Sequence, residues 1–319
     1  MQREFSPMNA AEIMDKVVDV YKKSFWRQMA WAAIFYVAAF FGTMIFAFIT
    51  VFLLSFVTIF LVTAGMDDAN VFGVFGLAVV ALLLPLFLLW QATTSTGHIL
   101  LAKPEFYGYR KKIFEAGLLK VILRVLTALL AQILFAVPFF IVAAAALIVF
   151  LTSVENFFIM ESPVAFFSFL ALIAAIGLGY LAYSHVFSLS VAVAIFEDCY
   201  FFGTIKRSWE LVKTDFFRTL GIRTIWFIVV MVVSSTIQGA FQLLTQLSVL
   251  IAGAVPWFVI ITFFVALFAV FIGPAVAGLL TAPLDGIMQV SIYFNQRIKN
   301  EGFGVELRLE KLLHERPGQ

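Results

Sequence analysis

Residues 28–102 read QMAWAAIFYVAAFFGTMIFAFITVFLLSFVTIFLVTAGMDDANVFGVFGLAVVALLLPLFLLWQATTSTGHILLA, 75 positions without a lysine or an arginine. One crossing of a bilayer takes about 20 apolar residues, so this run is long enough for two. Its polar interruption, Thr63, Ala64, Gly65, Met66, Asp67, Asp68, Ala69 and Asn70, falls near the middle. Apolar, turn, apolar, with basic residues only beyond the two ends, is the pattern of a helical hairpin through a membrane. Two further runs, 125–205 and 224–296, also lack Lys and Arg and are 81 and 73 residues long. Glu155, Asn156, Glu161, Ser162 and Pro163 interrupt the first, and Gly253, Ala254, Val255 and Pro256 interrupt the second more weakly.

The composition demands the same solvent. Hydrophobic residues make up 63% of the 319 and charged residues 13%, against roughly 45–50% and about 25% in a soluble domain. One protein core cannot absorb that excess, so lipid must cover it. The single cysteine, Cys199, cannot form an internal disulfide. The N-terminal stretch MQREFSPMNAAEIMDKVV lacks the charged-then-apolar layout of a cleavable signal, and the first span is expected to serve as an uncleaved insertion signal.

The expected fold is all-α and integral to the membrane, with six transmembrane helices forming three hairpins. The spans fall at roughly 28–60, 71–98, 125–152, 164–196, 224–250 and 257–293. Each hairpin (28–98, 125–196, 224–293) follows a cytoplasmic interfacial segment (amphipathic at 9–25 and 203–216, interfacial at 103–117), and a cytoplasmic tail occupies 297–319. All 21 basic residues lie in four islands that hold 5, 6, 5 and 5 of them. An even number of spans places every island on one side, which the positive-inside rule makes the cytoplasm, along with both termini.

The islands also repeat. At a shift of 191, Lys22-Lys23-Ser24-Phe25-Trp26-Arg27 lies over Lys213-Thr214-Asp215-Phe216-Phe217-Arg218, and the second island follows the pattern loosely. Asn9 with Glu12 fits a capping box, after which Ile13, Val17 and Tyr21, with Met14 and Val18, oppose Lys16, Asp19 and Lys23 at helical spacing. In the third island Ile205, Trp209, Val212 and Phe216 oppose Lys206, Arg207, Glu210 and Lys213. Such helices lie in the interface with cations toward anionic headgroups, which makes Lys22, Lys23, Arg27, Lys206, Arg207, Lys213 and Arg218 candidate headgroup or partner contacts.

Three stretches carry a family resemblance. SPMNAAEIMDKVVDVYKKSF (6–25) resembles a start with a proline, then E-I-L-D, a tyrosine and N-F. FEDCYFFGTIKRSWELVKTDFFRTLGI (196–222) resembles A-L-x-R-S-W-x-L-V-x-x-x-F-W-R-x-L-G-I, and IYFNQRIKNEGFGVEL (292–307) resembles Y-F-D-L-R-x-R-x-E-G-F-D-L-E-L. Together they resemble the glycerophosphoryl diester phosphodiesterase membrane-domain family. Asn295 and Gln296 stand where that pattern has Asp-Leu, and Gly304 where it has a second Asp. The resemblance implies a stand-alone multi-pass protein of the bacterial cell membrane. The soluble phosphodiesterase barrel of fused family members has no counterpart in these 319 residues, so no phosphodiesterase activity is implied.

Chemistry is sparse. HExxH, a Walker loop, paired-Cys zinc spacing and Gly-x-Ser-x-Gly are all absent from the sequence. Asp285, within PLDGIM on span six, is an intramembrane acid and so a functional candidate, or else it caps a helix break at Pro283 and Gly286. Gln238, Gln242 and Gln246 recur every four residues on span five, after Ser234 and Ser235, as interhelical glue or a polar path. His98 and His185 lie toward the cytoplasmic halves of spans two and four as candidate proton relays or hydrogen-bonded interhelical histidines. Glu197 and Asp198 end span four and are expected to face cytoplasmic water. Pro85, Pro138, Pro274 and Pro283 predict kinks, while Gly273 with Ala277, Gly177 and Gly179 predict close helix approach. The expected role is a non-catalytic multi-pass module, a scaffold or subunit for a lipid-related or membrane-associated partner such as an ATPase or lipid enzyme. The alternative is a transporter or permease component with a polar path along spans five and six. Neither reading requires a cofactor, a metal or nucleic acid.

Overall fold

The computed structural model describes residues 6–63, 68–107, 117–157, 163–187, 189–255 and 258–315. Among these the chain is helical almost throughout, with no strand. The helices are α1 (Ala10–Thr63), α2 (Asp68–Tyr107), α3 (Leu118–Phe157), α4 (Pro163–Phe187), α5 (Leu189–Phe196), α6 (Phe202–Val212), α7 (Phe216–Ala254), α8 (Val259–Glu301) and α9 (Phe303–Glu315), with a 3-10 turn at Lys213–Asp215 joining α6 to α7. Among the described residues the stretches Leu118–Phe139, Phe202–Gly253 and Val259–Glu301 are long and apolar enough to cross a membrane.

Local chemistry sets several boundaries. Asn9 and Glu12 form the reciprocal capping box that starts α1: the Asn9 amide donates to Glu12 Oε2 at 2.8 Å and the Glu12 amide to Asn9 Oδ1 at 2.9 Å. Gly302, at φ 68°, ends α8 in the left-handed region that glycine enters without steric cost. Phe201 is the one other described residue with positive φ, at 47°, and turns the chain into α6. α1, α3 and α7 end at Thr63, Phe157 and Ala254, each at one of the interruptions read from the sequence. Asp67, Glu161, Ser162, Pro256 and residues 108–116 lie outside the described residues.

Several elements differ from expectation. The amphipathic segment at 9–25 is not a separate interfacial helix but the first part of α1, which runs unbroken for 54 residues. At 1.5 Å per residue that is about 80 Å, far more than the ~30 Å of hydrocarbon one crossing needs. α2 likewise continues to Tyr107, and α8 to Glu301. Pro85, Pro138, Pro274 and Pro283 all sit inside continuous helices, so the break foreseen at Pro283–Gly286 is absent. The carbonyl of Phe187 accepts the Gln132 side-chain amide at 2.9 Å, and the Tyr183 hydroxyl donates to the Gln132 carbonyl, which ties α4 to α3.

The chain divides into two compact units. The first comprises Met1–Ile13, Ala116–Phe227 and Gln289–Gln319. Its centre is α5, whose residues Leu189 to Ile195 are all buried, against α3 and α6. The ring of Phe196 stacks on Tyr293 at 5.2 Å and meets Phe294 edge-on at 5.3 Å, and Phe303 and Leu307 of α9 are buried in the same unit.

The second unit comprises Met14–Glu115 and Ile228–Met288. It is built on aromatic side chains seated against glycines. The Trp31 indole lies on Gly97, Tyr36 on Gly278, and Phe241 within 3.2 Å of where a Cβ on Gly273 would stand. A Cβ on Gly286 would come within 2.9 Å of the His98 Cβ. The Tyr21 hydroxyl donates to the Leu280 carbonyl at 3.0 Å. In the first unit, Gly179 touches Phe139 at an ordinary 3.5 Å, whereas Gly177 faces open space, so only the former supports close approach.

These seats make a signed prediction. In an exposed helix Gly→Ala stabilises by roughly 0.5–1 kcal/mol, but at Gly97 the added methyl would overlap the Trp31 ring. Gly97→Ala is expected to cost about 1–3 kcal/mol, read as a fall in thermal midpoint of the purified protein in detergent. Gly177→Ala should stay within about 0.5 kcal/mol of the parent or exceed it.

Candidate functional site

In the first unit the ends of α5 and α8 and the middle of α6 converge on a semi-buried ionic cluster. Glu197, just past α5, accepts the Tyr293 hydroxyl on Oε1 at 2.9 Å and Arg207 Nε on Oε2 at 2.8 Å. Arg207 also pairs with Glu301. Arg297 donates to Glu301 at 3.0 Å and to the Tyr293 hydroxyl at 3.3 Å, with its guanidinium 3.9 Å above the Phe303 ring. Two arginines thus meet two glutamates, with a tyrosine between, and side-chain exposure is 17% at Glu197 and 26% at Arg207. A guanidinium shared between two carboxylates makes charge-assisted hydrogen bonds that fix geometry as well as charge. Glu197 therefore does not face open water as its position suggested. Asp198 does, at 85% exposure, while pairing with Arg124.

A second set of bonds ties the chain before α1 to the same ends. The Met8 amide donates to Asn295 Oδ1 at 2.7 Å, and Arg218 donates to the Met8 carbonyl at 2.9 Å. Lys299 pairs with Asp215, Asn300 Nδ2 donates to the Leu211 carbonyl at 2.9 Å, and Gln296 donates to Thr219 at 2.9 Å. Asn295 and Gln296, the positions that depart from the family pattern, are both buried and bonded here.

Beside this cluster lies an aromatic groove of about 640 Å³, lined by Phe135, Phe187, Phe202, Ile205, Lys206 and Trp209. Phe135 stacks toward Phe187 at 6.1 Å and meets Phe202 edge-on at 5.5 Å. The line of α6 buried within the protein is Thr204, Ile205, Ser208, Leu211 and Val212, while Trp209 is 46% exposed. Lys206 and Lys213 are exposed. Cys199, in the turn before α6, has its thiol pKa pushed up, first by burial and then by Glu197.

In the second unit α1 and α2 share a buried polar pair. Gln28 Nε2 donates to the His98 carbonyl at 3.1 Å, and His98 Nδ1 lies 2.7 Å from Gln28 Oε1. The first bond orients the amide, so Oε1 must accept and Nδ1 must carry the hydrogen. His98 Nε2 is buried without a protein partner among the described residues. Arg27 reaches Glu105 at 3.3 Å and Lys23 reaches Asp19 at 2.9 Å, while Lys22 is exposed. The buried line of α1 runs Ile13, Val17, Val20, Ser24 and Gln28, leaving Val18 outside it.

Also in the second unit, α7 and α8 border a groove of about 760 Å³. It brings together Gln238, Gln242 and Gln246 with Thr245, Ala269, Val270 and Pro274. Asp285, exposed on α8, is not part of its lining. The side chain of His185, on α4, lies outside the described residues. Among the described residues no group of three His, Cys, Asp or Glu comes together as a metal cluster.

In comparisons with known proteins the chain matches no family model, no curated protein and no solved structure. The family resemblance therefore rests on the three quoted stretches alone.

Sequence reading missed Gln28, Tyr293, Arg297 and Glu301 as site residues. The one local signal was the i, i+4 spacing of Tyr293, Arg297 and Glu301 along α8. The ionic cluster predicts strong coupling. Glu197→Gln and Arg207→Gln should each cost about 1–3 kcal/mol, because each strands a partly buried partner. The double variant should cost less than the sum by about 1 kcal/mol; additive losses in thermal unfolding would show the pair to be uncoupled.

Proposed function

We propose that the chain is a non-catalytic multi-pass membrane module of six spans in three hairpins, with both termini in the cytoplasm of a bacterial cell. In this reading it serves as a scaffold or subunit that holds lipid, and a membrane-associated partner such as an ATPase or lipid enzyme, at its cytoplasmic face. The observation that carries the reading is the division of labour within the third basic stretch. Arg207 is consumed by Glu197 and Glu301, whereas Lys206 and Trp209 stand at the lip of an aromatic groove. An apolar trough with a cation and an indole at its mouth suits an anionic phospholipid, with an acyl chain along the aromatic rings and the phosphate at Lys206. The bonds from Met8, Asn295, Asn300 and Asp215 give that face a fixed shape on which a partner can seat.

The competing reading, a transporter component, is favoured by the glutamine-lined groove. It is weakened by the place of Asp285, which does not line that groove.

The test spares Arg207, whose reversal would break the ionic cluster. Protein carrying Lys206→Glu and Lys213→Glu is reconstituted in nanodiscs of mixed phosphatidylcholine and phosphatidylglycerol, and the lipids retained on extraction are counted by native mass spectrometry. Retained phosphatidylglycerol should fall about tenfold relative to the parent, since each interfacial cation contributes on the order of 1 kcal/mol, with phosphatidylcholine unchanged. Equal retention of phosphatidylglycerol would contradict the reading.

A further inference from the structure

The amide stripe of α7 has no role in the cytoplasmic module just described. Gln242 and Gln246 are exposed, and among the described residues neither meets a hydrogen-bond partner. Gln238 bonds only to Ser234 of its own helix, at 3.1 Å. Around them Leu243, Leu244, Leu247 and Leu250 are 55–72% exposed, as hydrocarbon-facing residues would be. An amide left against hydrocarbon gives up its bonds to water and receives none in return, so something must cover these groups.

We propose that this stripe is the seam of a homodimer, in which the glutamines of α7 in one copy hydrogen-bond to those of α7 in a second copy within the membrane. The chemistry selects that occupant. Each glutamine side chain offers two donors and a carbonyl acceptor, so an identical stripe satisfies both needs at once, as a two-fold interface requires. The remaining wall of the groove, Thr245, Val249, Leu250, Ala269, Val270 and Pro274, holds no charge to balance an ion, and its one hydroxyl, on Thr245, already donates to the Phe241 carbonyl at 3.3 Å.

Backbone shape points the same way. Ser235, Gly239, Gln242 and Gln246 follow one another at intervals of four, three and four and share one face. Ser235 is exposed and meets no hydrogen-bond partner among the described residues, and a Cβ on Gly239 would meet nothing within 4 Å. A small pair one turn from the amides lets two helices approach closely enough for side-chain amides to meet. With both copies in the same orientation, the two-fold axis is normal to the membrane and Gln242 faces its own symmetry mate.

Cross-linking and dissociation test the seam together. In a Cys199→Ser background, which removes the sole native cysteine, Gln242→Cys should give a disulfide-linked dimer on oxidation in native membranes. Leu244→Cys, about 200° around the helix, should give none. By single-molecule photobleaching in dilute vesicles, Gln242→Leu with Gln246→Leu should weaken dimerisation at least about tenfold; leucine suits a lipid-facing site, so the variant is expected to remain folded. A parent protein that stays monomeric across the density range, equal cross-linking at 242 and 244, or a leucine variant that dimerises as well as the parent would each overturn the proposal. So would a monomeric parent whose passage of a polar solute is lost in the leucine variant, since the stripe would then line a path.

Discussion

Water is absent from the hydrocarbon layer, and most features of this chain follow from that. A backbone amide or carbonyl there must find its partner within its own segment, so the apolar runs become helices and no strand occurs among the described residues. A lysine or arginine there is costly, so all 21 basic residues are confined to four islands outside the runs. The same constraint favours polar side chains that bond across helices: the Gln132 amide donates to the Phe187 carbonyl, and the Gln132 carbonyl accepts from Tyr183.

Cohesion changes character along the helices. With lipid as solvent, burial of apolar surface gives little drive to bring helices together, and close fit does the work instead. That is the role of Gly97, Gly278 and Gly286, which receive Trp31, Tyr36 and His98. Toward the basic ends, charge and hydrogen bonding take over. The Glu197–Arg207–Glu301–Arg297 cluster ties the ends of α5 and α8 to the middle of α6 within the first unit. Its arginines are spent internally, so lysines and aromatic side chains are what that face presents outward.

The sequence disclosed whatever has a local period or a local sign. Charge-free runs, the Asn9–Glu12 capping box and the four-residue spacing of the glutamines all reappear in the structure. It hid what depends on residues far apart in the chain. His98 meets Gln28 across 70 positions, Tyr293 meets Glu197 across 96, and no repeat announces either pair. It was silent on which side of α6 packs inward, where Ser208 and Leu211 are buried, and it misplaced a helix break at Pro283, which is accommodated inside α8 without ending it. Hydropathy located the runs but not the lengths of the helices, because α1 carries its amphipathic start and its apolar stretch as one rod.

The central claim is that three hairpins place every basic island, and both termini, on the cytoplasmic side. Reporter fusions at Asp67, Glu155, Lys112 and Lys206, read with a phosphatase active only outside the cytoplasm and a fluorescent protein that matures only inside it, measure this directly. The account predicts external signal at Asp67 and Glu155 and cytoplasmic signal at Lys112 and Lys206. An external signal at either lysine, or a cytoplasmic one at Asp67 or Glu155, would contradict it.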